Sequence, residues 1–435
     1  MKIAFVHQNC PGQFAYLAPF LAADKNNEVV FITQPGKPTP AGVRKVEYSP
    51  KRKPAESTHH YLRLTESGIL NGQAVAMKAV ELRDSGFYPD IVVAHMGWGE
   101  GLYLKEVWPQ APLLGYFEWF YHARGADVGF ADSKQVDLET ACRIETRNCM
   151  HLQSLTVADH GISPTHWQRL QHPVEFHKKI SIIHDGVNTE LLKPDATATI
   201  TVDGTELKAG DEVITYVARN LEPYRGFPSF MKAVEIILKR RPNAHVVVVG
   251  GDDVGYGSAP PDGKTYRQHA LENGDFDMSR LHFLGRVPYA EFVRILQVSA
   301  AHVYLTVPFV LSWSVLEAMS AGCVVIGSRT APVAEVIEHE KNGLLVDFFS
   351  PEEIADQVDR VLSHPDRMQV MRDAARETIL QRYDLKKCLH SQIQLMSQMV
   401  QFARQKAGGP KKAKVAATAE PQSEAAAKKT PPPQP

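Results

Sequence analysis

Five short segments of this 435-residue chain carry side chains suited to a charged, hydroxyl-rich ligand. In EVITYVARNLEPYRGF, Arg219 and Arg225 flank one turn at the end of an apolar run. Two guanidinium groups so placed suit a diphosphate, because each forms bidentate, charge-assisted bonds. In YLTVPFVLSWSVLEAM a loop opens a helix near Ser312–Ser314. Free backbone N–H groups at a helix start attract phosphate. Glu317 follows about one turn later, where a carboxylate can accept from two vicinal ribose hydroxyls. In YFEWFYHARG, Glu118 and His122 sit among aromatic residues. Trp119 and Tyr121 can stack on sugar faces while the polar groups fix orientation. In AHMGWGEG, His95 ends a strand that opens into a Gly-rich loop, and in HQNCPGQF, Gly12 lets the backbone approach a phosphate. Plainer roles stay open for each: a turn at Pro11-Gly12, a core strand end for the aromatics, surface ion pairs for the arginines.

Parallel strands would present these segments. Apolar runs at Lys2–His7, Glu28–Gln34, Asp90–Met96, Pro112–Glu118, Ser154–Asp159 and Ile180–Asp185 alternate with helical patterns such as Phe14–Asp24 and His59–Ser85. The second half repeats this with Glu212–Arg219, Ala244–Gly251, Leu281–Val287, His302–Val307, Cys323–Ser328 and Leu344–Asp347. Runs apolar on both faces belong in parallel sheets covered by helices, which predicts two Rossmann-like, doubly wound α/β domains. Such sheets bind ligands at the carboxyl ends of their strands, so two of them facing each other make a cleft. The expected division is residues 1–186, residues 187–385, a closing helix over 386–404, and a disordered Lys/Pro/Ala-rich tail over 405–435. Gly186 and Pro194 break the pattern at the junction, and Asp203-Gly204 predicts a hairpin turn after it.

Composition narrows the function. Lys plus Arg number 48 against 49 Asp plus Glu, a balance that argues against a dedicated nucleic-acid binder. The five cysteines are scattered without zinc spacing, as expected of reduced thiols in a cytoplasmic protein. The N-terminus turns polar too soon for a signal peptide, and Val307–Gly327 carries Glu317 mid-span, which argues against a membrane helix. In the tail, lysines outnumber glutamates six to two, a weak attraction to anionic lipid at the inner membrane face. Asp275 and Asp277 lie in a polar stretch and make a poor metal motif.

At these residues the chain resembles the retaining glycosyltransferases of family 4, which have the GT-B fold. The markers are the Gly-containing loop after the first strand, IHDGVN at the junction, VARNLEPYRGF, and above all LEAMSAGCVVIGSRTAPVAEVIEHEKNGLLV. The resemblance implies a nucleotide-sugar donor held mainly by the C-terminal domain, and a glycan, lipid-linked or other cell-envelope acceptor on the N-terminal one. Arg219 matches the diphosphate-binding Arg, and Arg225 stands where Lys is usual. Glu317 matches the second Glu of a Glu-x7-Glu motif, and Gly12, Ser312, Ser314 and Glu335 join it as donor-binding candidates. Trp119, Tyr121 and His122 are the acceptor-binding candidates. Glu118 occupies the strand-end position where many members carry a catalytic His, with His95 one strand earlier. Phe309 replaces the first Glu of the motif, and Val310, Leu311 and Ser312 replace the usual Gly-Phe-Gly. A phosphorylase, a sugar-nucleotide epimerase and a non-catalytic nucleotide-sugar binder are the competing readings. No cofactor and no metal are expected.

Overall fold

The computed structural model describes residues 1–130 and 135–408. Its first sheet contains β1 (Lys2–Val6), β2 (Glu28–Thr33), β3 (Arg44–Glu47), β4 (Ile91–His95), β5 (Leu113–Tyr116), β6 (His160–Ser163) and β7 (Ile180–Ile182). A hairpin of β8 (Thr199–Val202) and β9 (Thr205–Lys208) follows. The second sheet contains β10 (Val213–Asn220), β11 (His245–Gly251), β12 (Leu281–Gly285), β13 (Ala301–Tyr304), β14 (Val324–Ser328) and β15 (Leu344–Val346). Both sheets are parallel, in the orders β3-β2-β1-β4-β5-β6-β7 and β12-β11-β10-β13-β14-β15. The order reverses beside β1 and beside β10, and the loops that follow these strands open at those points, where doubly wound sheets bind ligands.

Central strands such as Ile91–His95 and Ala301–Tyr304 are buried along their whole length. Helices cover both faces of each sheet, which is why these runs read as continuously apolar. The hairpin turn has positive φ at Asp203 (48°) and Gly204 (82°), the geometry a two-residue turn demands.

Two expectations are corrected, and one strand had not been expected. Ser154–Asp159 is not a strand: Leu138–Val157 is helical, and Ile144, His151, Ser154 and Leu155 continue its buried face at helical spacing. The strand is the next segment, His160–Ser163, whose Gly161 lies so close to the Phe117 ring that a Cβ would sit 2.6 Å from it. The edge strand β3 had no apolar signal, since Arg44–Glu47 is RKVE. The closing helix runs Leu385–Gly408, taking in residues 405–408 assigned above to the tail. Gln, Lys and Ala are good helix formers, so residues 405–408 continue the pattern. The remainder of the expected tail, 409–435, lies outside the described residues.

The chain passes between the two sheets twice, side by side. Val187 N–H donates to Tyr383 O at 2.8 Å and Leu385 N–H to Val187 O at 2.9 Å. Gly186 has φ +95°, and a Cβ there would stand 2.7 Å from Leu385 Cα. The final helix then returns to the first sheet, with Leu389, Met396 and Val400 in one core with Ile3, Phe5 and Leu114.

Candidate active site at the domain cleft

The carboxyl ends of both sheets face one cavity of about 350 Å³. From the first sheet come His95, Gly97 and Trp98 after β4, then Glu118, Trp119, Tyr121 and Asp127 after β5. From the second come Tyr224 after β10, the Gly255–Gly257 loop after β11, and Phe309 with Val310 after β13.

Glu118 lines the cavity just after β5. Gln13 Nε2 donates to Oε1 at 3.0 Å, and His95 Nε2 lies 3.4 Å from Oε2. Burial pushes the Glu118 carboxyl up, but His95, Gln13 and Arg225 outweigh it and hold the group below the usual carboxylate range. Behind it His7, almost fully buried, bonds Gln13 Oε1 through Nε2 at 2.7 Å. Burial, the neighbouring His95 and Lys37 keep His7 well below the usual imidazole range against the Gln13 bond, so it stays neutral. Gly12 has φ +52°, and a Cβ there would press on the His7 ring at 2.9 Å. The glycine therefore permits this packing, whatever it does for a ligand.

Arg225 closes the turn Pro223–Arg225. Its Nη1 donates to Thr306 Oγ1 at 2.8 Å and to Val310 O at 3.3 Å. Its Nε and Nη2 make no hydrogen bond among the described residues, so the guanidinium is anchored at one edge and open at the other. Arg219 projects from the end of β10, exposed and without a hydrogen bond or ion pair among the described residues. Ser312 caps the helix Trp313–Ala321, its Oγ accepting from Ser314 N–H at 3.3 Å and lying 3.0 Å from Ser314 Oγ. Glu317 accepts from Tyr289 Oη at 2.8 Å. Burial raises its carboxyl, and the tyrosine bond only partly offsets this.

Phe309 is built into an aromatic box. Its ring centroid lies 4.7 Å from Trp119, 5.1 Å from Tyr256 and 5.9 Å from Tyr224, each edge-on. Trp119 lines the cavity but belongs to the second domain's core. Tyr121 also lines it, its Oη accepting from Arg147 Nη2 at 2.6 Å. His122 is not brought into the cavity; its Nε2 pairs with Gln171 O at 2.8 Å. Glu335 is held elsewhere too: both oxygens accept from the first backbone N–H groups of the helix His166–Leu170, at 2.8 and 2.6 Å. That bond ties the domains together.

Sequence reasoning missed His7, Gln13, Tyr224, Tyr256, Asp127, Arg147 and Asp185. Gln13 and Tyr224 lie inside segments singled out for other residues. Asp127, Arg147 and Tyr256 come from segments with no motif, and only the fold gathers them. Asp185, in IHDGVN, accepts from Tyr116 Oη at 2.9 Å and from Trp313 Nε1 at 3.0 Å. Among the described residues no group of three or more His, Cys, Asp or Glu side chains is disposed to hold a metal ion. No helix there is long and apolar enough to cross a membrane.

Residues 25–192 match the Glycosyl transferase family 4 group, and residues 201–378 match Glycosyl transferases group 1. Taken together with the two facing sheets, these matches show that the chain belongs to the family 4 glycosyltransferases of GT-B fold. Among curated relatives, the D-inositol 3-phosphate glycosyltransferase of Corynebacterium glutamicum is 30% identical over 203 residues, covering 45% of this chain and 46% of its own. The GDP-mannose-dependent alpha-(1-6)-phosphatidylinositol monomannoside mannosyltransferase of Mycobacterium tuberculosis is 27% identical over 208 residues, covering 45% and 49%. The matched region thus spans about half the length of these relatives. Among solved structures, HepE of Anabaena with UDP-glucose superposes with a TM-score of 0.65 at 13% identity, covering 92% of this chain and 100% of that one. Sucrose-phosphate synthase of Thermosynechococcus elongatus gives 0.66 at 17%, with the same coverage. At such identities the likeness is one of fold.

Proposed function

We propose that this protein is a retaining hexosyltransferase that moves a sugar from a nucleotide-sugar donor to a glycan, lipid-linked or other cell-envelope acceptor. The observation that carries the reading is the facing of Glu118 and His95, from one sheet, with the Tyr224–Arg225 turn of the other across a single cavity. The names of the curated relatives, one of them GDP-mannose-dependent, support the donor class.

In this reading the donor diphosphate lies between Arg219, the open edge of Arg225 and the backbone N–H groups at the Ser312–Ser314 helix start. Negative charge grows on the leaving phosphate as the glycosidic bond breaks. Guanidinium groups and a helix N-terminus already oriented toward it stabilise that charge without reorganising. The departing phosphate takes the acceptor's proton on the same face, so no covalent carboxylate intermediate is needed. Glu118, held ionised by His95 and Gln13, faces the positive charge that develops on the sugar ring. Glu317 holds the ribose hydroxyls, and Trp119 and Tyr121 shape the entry of the acceptor. With cations supplied by the protein, the reaction runs without a metal. The tail lysines would give peripheral contact with anionic lipid from the cytoplasmic side.

Calorimetric titration with UDP-glucose, GDP-mannose, UDP and GDP, with mass detection of any glycosylated product, tests the proposal. Saturable binding of at least one pair supports it. Binding of none, by folded protein, refutes it.

A further inference from the structure

Glu317 meets a tyrosine hydroxyl where the proposed function needs it to meet a ribose. Tyr289 Oη donates to Glu317 Oε1 at 2.8 Å, and Oε2 makes no hydrogen bond among the described residues. A phenol O–H and a sugar O–H are the same kind of donor, and a carboxylate oxygen accepts from either. Held in bidentate fashion, two vicinal hydroxyls take one oxygen each, and here one of the two is engaged.

The setting of Tyr289 suits a side chain that can leave. It is the first residue of the helix Tyr289–Val298 and is 44% exposed. Its ring stacks on Phe292 with centroids 5.6 Å apart. Once off the carboxylate, the phenol hydroxyl is free to bond water. Glu317 has no such freedom: burial already raises its carboxyl, so it gives up one donor only for another. A ligand with hydroxyl groups supplies that donor, and a bare phosphate does not.

A second partner reaches Tyr289 from the other domain, for Tyr16 bonds the same hydroxyl. The single proton of Tyr289 goes to Glu317, so its oxygen accepts and Tyr16 donates. Tyr16 stands between the turn Gly12–Phe14, which follows β1, and the helix Leu17–Ala22. Two hydroxyls thus link the loop after β1 to the helix Trp313–Ala321 of the second sheet.

Resting on the function proposed above, we propose that Tyr289 competes with the donor ribose for Glu317 and that Tyr16 holds it there from the opposite domain. The ribose hydroxyls displace the tyrosine from the carboxylate, and the link through Tyr16 is lost with it. Tyr289 is therefore a built-in inhibitor of nucleotide binding, and removing one tie between the domains is part of loading the donor.

Calorimetry on the full chain with UDP, GDP, their 2′,3′-dideoxy forms and inorganic pyrophosphate tests this, with a melting curve for every variant. Tyr289→Phe keeps the ring on Phe292 and removes only the hydroxyl. It should tighten UDP or GDP binding by roughly 3–10-fold, the range of one net hydrogen bond. Pyrophosphate and the dideoxy nucleotides should bind as they do to wild type, because they bring no hydroxyl pair to Glu317. In Glu317→Ala protein, which has no carboxylate to contest, Tyr289→Phe should change nothing. Tyr16→Phe should tighten UDP or GDP by a smaller factor, add nothing to Tyr289→Phe, and serve as the second variant if that protein fails to fold. Unchanged or weaker nucleotide affinity in folded Tyr289→Phe protein overturns the competition, as does equal tightening of pyrophosphate. Wild-type affinity in Tyr16→Phe protein overturns the hold from the opposite domain. Binding of neither UDP nor GDP by any of these folded proteins refutes the donor reading itself; nucleotide binding that neither tyrosine influences refutes this inference alone.

Discussion

Trp119 and Phe309 meet across the domain boundary with ring centroids 4.7 Å apart and planes inclined at 67°. One follows a strand of the first sheet and the other a strand of the second, so a single edge-on contact helps hold the cleft closed. Trp167 Nε1 adds a hydrogen bond to Phe309 O at 3.0 Å.

Phe309→Ala should therefore act on stability and on domain closure, with little effect on the phosphates. Removing a buried Phe costs ~3–5 kcal/mol in a closed core, and the adjoining cavity favours the lower end here. A melting curve should show the loss, while UDP or GDP affinity measured below the transition stays nearly constant. A large drop in diphosphate affinity would place the ring at the phosphates instead.

Arg225→Ala and Glu317→Ala should each weaken nucleoside-diphosphate binding by ~10–100-fold, using ~1.5–3 kcal/mol for a hydrogen bond to a charged group. Arg225 also bonds Thr306 and Val310, so its variant needs a melting curve beside the calorimetry. Folded Glu317→Ala protein with wild-type affinity would show that Tyr289, and not a ribose, is the partner that matters.

Much of this arrangement is legible in the sequence because it is local. Arg219 and Arg225 flank one turn, and Ser312 to Glu317 form one helix start. The parallel sheets are legible too, because strands covered on both faces read as apolar runs. What escaped depends on distance or on smallness. His160–Ser163 has too little apolar surface to announce a strand, and its Gly161 makes sense only beneath the Phe117 ring. Asp127 and Tyr256 reach the cavity only when the domains meet. Glu335 sits in the family's most recognisable block, yet its carboxylate caps a helix of the other domain.

Asp185 should set a pH dependence of stability. Burial raises its carboxyl to about 7, and Glu118 adds to this, while bonds from Tyr116 and Trp313 and the nearby His95 pull the other way. The folded state then holds a proton that the unfolded state, with a carboxyl near ~3.9, has already released. The contribution is fully present below that unfolded value and is lost as pH rises through about 7. Asp185→Asn keeps an acceptor for both donors, so the fall in melting temperature between pH 5 and 8 should shrink. An unchanged slope would show that Asp185 does not titrate there.

Turnover should survive EDTA, since the diphosphate charge is met by Arg219, Arg225 and a helix start. Activity that chelator abolishes and a divalent ion restores would contradict this assignment.

The most direct measurement is the anomeric configuration of the first product, read by proton NMR within the first turnovers from α-linked UDP-glucose or GDP-mannose. The account predicts transfer, or slow hydrolysis, giving the α product, and a loss of that signal in folded Arg225→Ala protein. A β product, or no turnover of any nucleotide sugar by folded protein in the presence of acceptor sugars, would contradict it.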